Sequence, residues 1–239
     1  RVLFRSLGKA MAMALGAAGA KVAFNYKNGQ QKAEATFAEY RAAGFQGGLF
    51  RGDVISETDV PRLVRDIEQQ LGPVEILVLN ATPDQPHHSI EEYSWDFYQS
   101  MLDFFVKSPY LLTRAVLPGM KQRRSGRIIN IGTEVFRHGL GNFSAYVAAK
   151  GAQTGWNRSM ATELAPWHIT VNMVCPGWIP VERHANDPQA DKDAYRALIP
   201  MKRWGVPADV GGIVAFLASE AASFITGQDI CVNGGMTVT

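Results

Sequence analysis

The sequence predicts an α/β fold: a single doubly wound domain in which a parallel sheet is covered by helices on both faces. Three observations carry the expectation. Short apolar runs alternate with longer amphipathic stretches along the chain. The runs are nearly continuous in apolar residues instead of alternating with polar ones, as in strands buried on both faces. The 239 residues, 46% hydrophobic and 19% charged, suffice for one large core, and no linker, repeat or low-complexity tract divides them.

The elements follow in order. LGKAMAMALGAA (7–18) reads as a helix, because its small and apolar residues recur at helical spacing. KVAFNY (21–26) is the first strand-like run. The stretch 29–43 is amphipathic, with Ala33, Phe37 and Tyr40 on one helical face, and GLFRGDV (48–54) follows as a strand. In 57–71, Val60, Leu63, Val64, Ile67 and Leu71 keep the 3–4 spacing of a helix. VEILVLNA (74–81) is a strand, 92–121 is expected as one long helix, and GRIINIG (126–132) is the next strand. Then come a helix over 144–165, the strand ITVNMVCPG (169–177), a helix over 207–219 and the strand QDICVNGG (228–235). One stretch fits neither pattern. WIPVERHANDPQADKDAYRALIPMKR (178–203) is too polar for core and too long for a plain connection, so it is expected to be an irregular substrate lid.

Charge and cysteine usage exclude several functions. A net charge of +2 gives no nucleic-acid signature, and the basic run KQRR (121–124) reads as a solvated helix end. No apolar run approaches the ~18 residues of a membrane span. The start does not have the pattern of a secretory signal. Cys175 and Cys231 lie in apolar runs and read as buried free thiols, which suits a reducing, cytoplasmic setting. His87 and His88 sit in a polar loop without further ligands at suitable spacing, so no metal site is expected. Trp178 and Trp204 bracket the lid and suit either substrate contact or anchorage of the segment.

In a doubly wound sheet, ligands bind beyond the carboxyl ends of the strands. The chemistry there centres on YVAAK. Tyr146 and Lys150 are one helical turn apart and share a face. An ammonium near a phenol favours the phenolate, which makes the tyrosine able to trade a proton with a carbonyl or alcohol oxygen. Upstream, at the end of RIINIG, the Thr133 hydroxyl can bond the same oxygen. Downstream, the strand VNMVCPG ends in Pro-Gly, where a glycine allows close backbone approach to a ligand. The chain closes on SFITGQDICVNGG.

Thr133 at a strand end, Tyr-x-x-x-Lys, Pro-Gly and the closing ITGQ…VNGG together resemble the short-chain dehydrogenase/reductase family, and within it the 3-oxoacyl-carrier-protein reductase-like members. The resemblance covers residues 7–236. It implies a Rossmann-type domain that reduces a keto group or oxidises a secondary alcohol. Tyr146 would be the proton donor. Lys150 would lower its pKa and bind the nicotinamide ribose, and Thr133 would stand for the usual serine. Leu7 and Gly8 remain from the glycine-rich turn that receives the pyrophosphate. Tyr26 and Lys27 would lie near the adenosine ribose, and Asp53 and Val54 near adenine. Asn80 and Ala81 would line the cofactor, and Pro176, Gly177 and Ile179 would border the nicotinamide. The cation Lys27, in place of an acidic residue, favours NADP(H) over NAD(H). The family also implies a homodimer or homotetramer, packed through a small-residue face of helix 144–165 (Ala145, Ala148, Ala149, Ala152 and Gly155).

The departures from the family are as informative. RVLFRS (1–6) stands where a first strand and its Thr-Gly-x-x-x-Gly-x-Gly turn belong, with Val2 and Ser6 at glycine positions. It reads as foreign or truncated sequence joined to an ordinary enzyme at Leu7, or else as a genuine eroded site. A sheet without its first strand is therefore expected. Within the chain, Asn-Asn-Ala-Gly appears as Leu79-Asn80-Ala81-Thr82, Phe105 replaces a catalytic asparagine, and Val181 replaces a threonine. These changes keep open the alternative of a non-catalytic relative that serves binding or assembly.

Overall fold

The computed structural model describes residues 7–238. The stretch RVLFRS and the question of its origin lie outside the described residues. Helix α1 (Leu7–Ala17) leads to strand β1 (Val22–Tyr26), α2 (Gln30–Ala42), β2 (Gly47–Arg51), α3 (Asp59–Leu71) and β3 (Ile76–Leu79). After these come α4 (Trp95–Leu102), a π-helical segment (Asp103–Lys107), α5 (Ser108–Arg123), β4 (Gly126–Ile131), the short α6 (Val135–His138) and α7 (Ser144–Leu164). The chain ends with β5 (Ile169–Pro176), α8 (Gln189–Leu198), α9 (Pro207–Ala218) and β6 (Asp229–Val232).

All strand pairs are parallel. The sheet is parted: β1 pairs β2, while β3, β4, β5 and β6 form a second ladder in that order. Among the described residues no strand joins β1 to β3. A cavity of about 750 Å³ lies between them, bordered by Val22 and Phe24 on one side and Ile76 and Val78 on the other.

Side-chain alternation along the strands explains both helical layers. Ile129 and Ile131 of β4 point to one face and pack with Met11 and Leu15 of α1 and Val210, Val214 and Leu217 of α9. Ile128 points to the other face, with Val64 of α3, Val116 and Met120 of α5, and Leu164 of α7. Strand β3 divides likewise, Ile76 and Val78 to the first cluster and Leu77 and Leu79 to the second.

Three expectations change. The long helix over 92–121 is interrupted. It starts at Trp95, where the Ser94 hydroxyl accepts the Phe97 N–H at 3.1 Å, and its α-helical ladder is broken by the π turn before α5. A π turn adds a residue to the helical repeat and re-aims the side chains it carries. Phe105 on that turn is thereby buried against α7. The segment 178–203 is not irregular: α8 forms within it, followed by Ile199 in extended conformation. Nor do the five small residues of α7 share one face. Ala145 and Ala149 are buried inside the chain, and Ala148, Ala152 and Gly155 are exposed, because positions 145 and 149 fall on the turn-to-turn stripe of Tyr146 and Lys150.

Candidate active site

Tyr146 and Lys150 meet as the one-turn spacing requires, on the buried face of α7. Tyr146 is 9% exposed and Lys150 4%. The Lys150 ammonium lies 5.8 Å from the centre of the Tyr146 ring. It donates to the Ile131 carbonyl at 2.7 Å and to Gln153 Oε1 at 2.9 Å. Its third neighbour is the face of Phe105, 3.8 Å from the ring centre, a cation–π contact in a desolvated setting. Phe105 also meets Tyr146 edge-on at 5.4 Å, and Phe143 packs on Tyr146 at 4.7 Å. The ring at position 105 thus holds the pair by packing and quadrupole attraction, where an asparagine would have offered an amide.

Thr133 follows β4, two residues after the carbonyl that anchors Lys150. Its hydroxyl oxygen accepts the Val135 N–H at 3.2 Å, which leaves its proton for a substrate oxygen. Gly132 before it has no room for a side chain, since a Cβ would come 2.5 Å from Met173 Sδ.

The remaining sequence-derived positions fall into groups. Gly8, at the start of α1, lies against Asn80, and a Cβ at Gly8 would stand 3.0 Å from Asn80 Nδ2. Gly8, Val54, Asn80 and Ala81 border the cavity between β1 and β3, while Leu7 packs toward the α9 side of the core. Tyr26 closes β1, and the exposed Lys27 that follows forms an ion pair with Asp53 at 2.7 Å. The two residues assigned to different parts of the cofactor therefore hold each other. Ile179 is 4% exposed, with its side chain in the apolar cluster of Val210 and Val214, so only its backbone is available to a ligand. Pro176 ends β5.

Gly177 has a packing reason beside the one its sequence suggests. A Cβ there would come 2.7 Å from the Tyr195 hydroxyl and 2.9 Å from Asn233 Cβ, so the packing of the 178–203 segment also demands the glycine. The segment is pinned at this point by residues that sequence reasoning missed. The Tyr195 hydroxyl donates to the buried Glu134 carboxylate and accepts the Trp178 N–H at 2.8 Å. Asn233 Nδ2 donates to the other Glu134 oxygen at 2.7 Å. Burial first, and then the Glu134 hydrogen bond, push the Tyr195 phenol well above its ordinary range. Trp178, Tyr195 and Trp204 pack ring to ring with centres 5.4–5.8 Å apart, so both tryptophans anchor the 178–203 segment. Nothing local marks Glu134 in the sequence, because its partners lie 61 and 99 positions away.

Cys175 and Cys231 are free and face each other in register on β5 and β6. Burial pushes the Cys175 thiol up to about 12, so it is no nucleophile at neutral pH. The cavity between β1 and β3 does not include Tyr146, Lys150 or Thr133. These three are placed instead by the end of β4 and by α7.

The chain is similar to known proteins along its length. A family model described as Enoyl-(Acyl carrier protein) reductase matches residues 3–237. The chain is 37% identical over 235 residues to a 3-oxoacyl-[acyl-carrier-protein] reductase of Staphylococcus epidermidis, covering 97% of this chain and 95% of the relative. It is 33% identical to a 2-dehydro-3-deoxy-D-gluconate 5-dehydrogenase of Formosa agariphila, covering 98% and 89%. A crystal structure of gluconate 5-dehydrogenase from Burkholderia cenocepacia, in complex with NADP and tartrate, superposes with a TM-score of 0.90 at 28% identity, covering 97% of this chain and 91% of that one.

Proposed function

The chain belongs to the short-chain dehydrogenase/reductase family of NAD(P)-dependent oxidoreductases acting on CH–OH and C=O groups, and we propose that it reduces the keto group of a 3-oxoacyl thioester with NADP(H). The observation that carries this reading is the buried Tyr146–Lys150 pair, its ammonium bonded to the Ile131 carbonyl at 2.7 Å, two residues from the Thr133 hydroxyl.

The residues present suit a nicotinamide cofactor. The close seat of Gly8 on Asn80 leaves the first turn of α1 without bulk, as approach of a pyrophosphate to a helix N-terminus requires. Lys27 offers a cation at the end of β1, and this supports NADP(H) over NAD(H). Leu7, Tyr26, Asp53, Val54, Ala81, Pro176, Gly177 and Ile179 complete the proposed cofactor set. When bound, the cofactor supplies the hydride.

The chain's own groups handle the proton. Thr133 donates a hydrogen bond to the substrate carbonyl oxygen and fixes it near the Tyr146 hydroxyl. Tyr146 donates its proton to that oxygen as negative charge develops there. Lys150 keeps a positive charge beside the phenolate left behind, which lowers the cost of losing the proton. Burial of all three groups strengthens these electrostatic effects. In alcohol oxidation the same groups act in reverse.

A soluble homodimer or homotetramer in the cytoplasm completes the reading. It is supported by the exposed stripe of Ala148, Ala152 and Gly155 on α7 and by the two free thiols. The test is NADPH oxidation with an acetoacetyl thioester and with a keto-sugar acid. Turnover of the thioester is expected, falling about 10²-fold or more in Tyr146→Phe. Wild-type turnover in that variant refutes the acid assignment, and faster reduction of the sugar acid refutes the substrate class.

A further inference from the structure

We propose that Gln153 is a positioning residue for the Lys150 ammonium. The inference rests on the reading of Tyr146 and Lys150 as the proton-handling pair and adds the group that fixes where the ammonium sits.

Gln153 lies one turn after Lys150 on α7 and is 2% exposed. An ammonium has only donors, so a primary amide facing it must present its oxygen. Gln153 Oε1 accepts from Lys150 Nζ at 2.9 Å. The amide nitrogen then needs an acceptor, and it donates to Asn130 Oδ1 at 3.3 Å. Asn130, fully buried on β4, passes the order on, its Nδ2 donating to Asn157 Oδ1 at 2.9 Å. The sequence ends at Asn157 Nδ2, which is buried and has no hydrogen-bond partner among the described residues.

Every carbonyl in this chain of three amides therefore points toward the ammonium. The order is imposed from the cation end, because the far end closes on an orphan donor that a network built only for stability would have satisfied. Aligned amides polarise one another, so Gln153 Oε1 is a better acceptor than an isolated amide. The arrangement also ties Lys150 to one place on β4. Its second acceptor is the carbonyl of Ile131, the residue directly after Asn130. Phe105 covers the third side with a ring face, which attracts the cation without directing its N–H bonds. With an aromatic at 105, Gln153 and Ile131 direct the ammonium through their oxygens, and of these two Gln153 is the one that a side-chain substitution removes.

The experiment uses the full chain labelled with ¹⁵N. The Lys150 ammonium, slowed in exchange by burial and hydrogen bonding, is followed by NMR and assigned by its loss in Lys150→Met. The wild type is expected to show the signal. In Gln153→Met, of similar volume, the signal moves or disappears, and kcat for carbonyl reduction falls about 10-fold with KM changed less than about 2-fold. Gln153→Glu keeps the acceptor and retains the signal. The proposal is overturned if the wild type has no protected Lys150 signal or if folded Gln153→Met keeps the wild-type signal. A rise in KM at constant kcat in Gln153→Met also overturns it. Should Gln153→Met fail to fold, loss of the signal in Gln153→Glu overturns it and retention supports it. A wild type that shows the signal but reduces no carbonyl compound refutes the proposed function, and the NMR comparison still decides the role of Gln153.

Discussion

Replacing Phe105 by leucine separates what the ring does electrostatically from what it does as bulk. The side chain is 2% exposed, its face lies 3.8 Å from the Lys150 ammonium, and its edge contact with Tyr146 spans 5.4 Å. Leucine keeps most of the apolar volume, at a packing loss of about 1 kcal/mol. It forfeits a desolvated cation–π contact of about 2 kcal/mol and an aromatic pair of about 0.5–1.5 kcal/mol. The expected loss is therefore about 3.5–4.5 kcal/mol, large against a total of about 5–15 kcal/mol but compatible with a folded protein. Met101→Leu, at a neighbouring buried site in the same cluster, is the control and should cost less than about 1.5 kcal/mol. Urea denaturation by linear extrapolation measures both. The decisive number is the coupling between Phe105→Leu and Lys150→Met in a double-mutant cycle, expected at about 2 kcal/mol. A coupling below about 0.5 kcal/mol would show that Phe105 is ordinary core and that its contact with Lys150 has no energetic consequence. Phe105→Asn should retain more turnover than Phe105→Leu, because an amide restores a polar partner to the lysine.

Three further outcomes are expected. An apolar strand and glycine-rich turn built in place of residues 1–6 would run between β1 and β3, which no described strand joins. It should raise the melting temperature by about 5 °C or more and tighten NADPH binding, and an unchanged melting curve refutes the slot as a strand site. The Lys27–Asp53 ion pair competes with a 2′-phosphate for Lys27, so Asp53→Asn should strengthen NADPH binding. Lys27→Ala should weaken it about 10-fold with NADH little changed, and tryptophan-fluorescence titration that finds equal effects on both cofactors moves the selectivity elsewhere. The Asp209 carboxyl is held below its ordinary range, chiefly by the Arg203 side chain, and it accepts the Val206 N–H at 2.8 Å at the start of α9. Its contribution is thus present above the unfolded carboxylate pKa and is lost as pH falls through the folded value. Asp209→Asn should cost about 0.5–2 kcal/mol at neutral pH and flatten the acid decline of the melting temperature, and an equally steep decline counts against it.

The elements that the sequence determined by itself are those governed by neighbours along the chain. The burial of β4 and β5 follows from continuous apolar runs, and α3 follows from apolar residues at 3–4 spacing. The meeting of Tyr146 and Lys150 follows from 3.6 residues per turn, whatever surrounds the helix. Other features were decided only by tertiary structure. The π turn that aims Phe105 at Lys150 depends on packing against α7. Gly177 is hemmed in by Tyr195 and Asn233, a packing demand that the Pro-Gly pair does not show. Lys27 finds Asp53, Glu134 finds Asn233, and the amides of Gln153, Asn130 and Asn157 line up across two elements. Each of these depends on groups far apart in sequence, whose hydrogen-bonding and packing demands are left open by local periodicity and are fixed only when burial forces every polar group to find a partner.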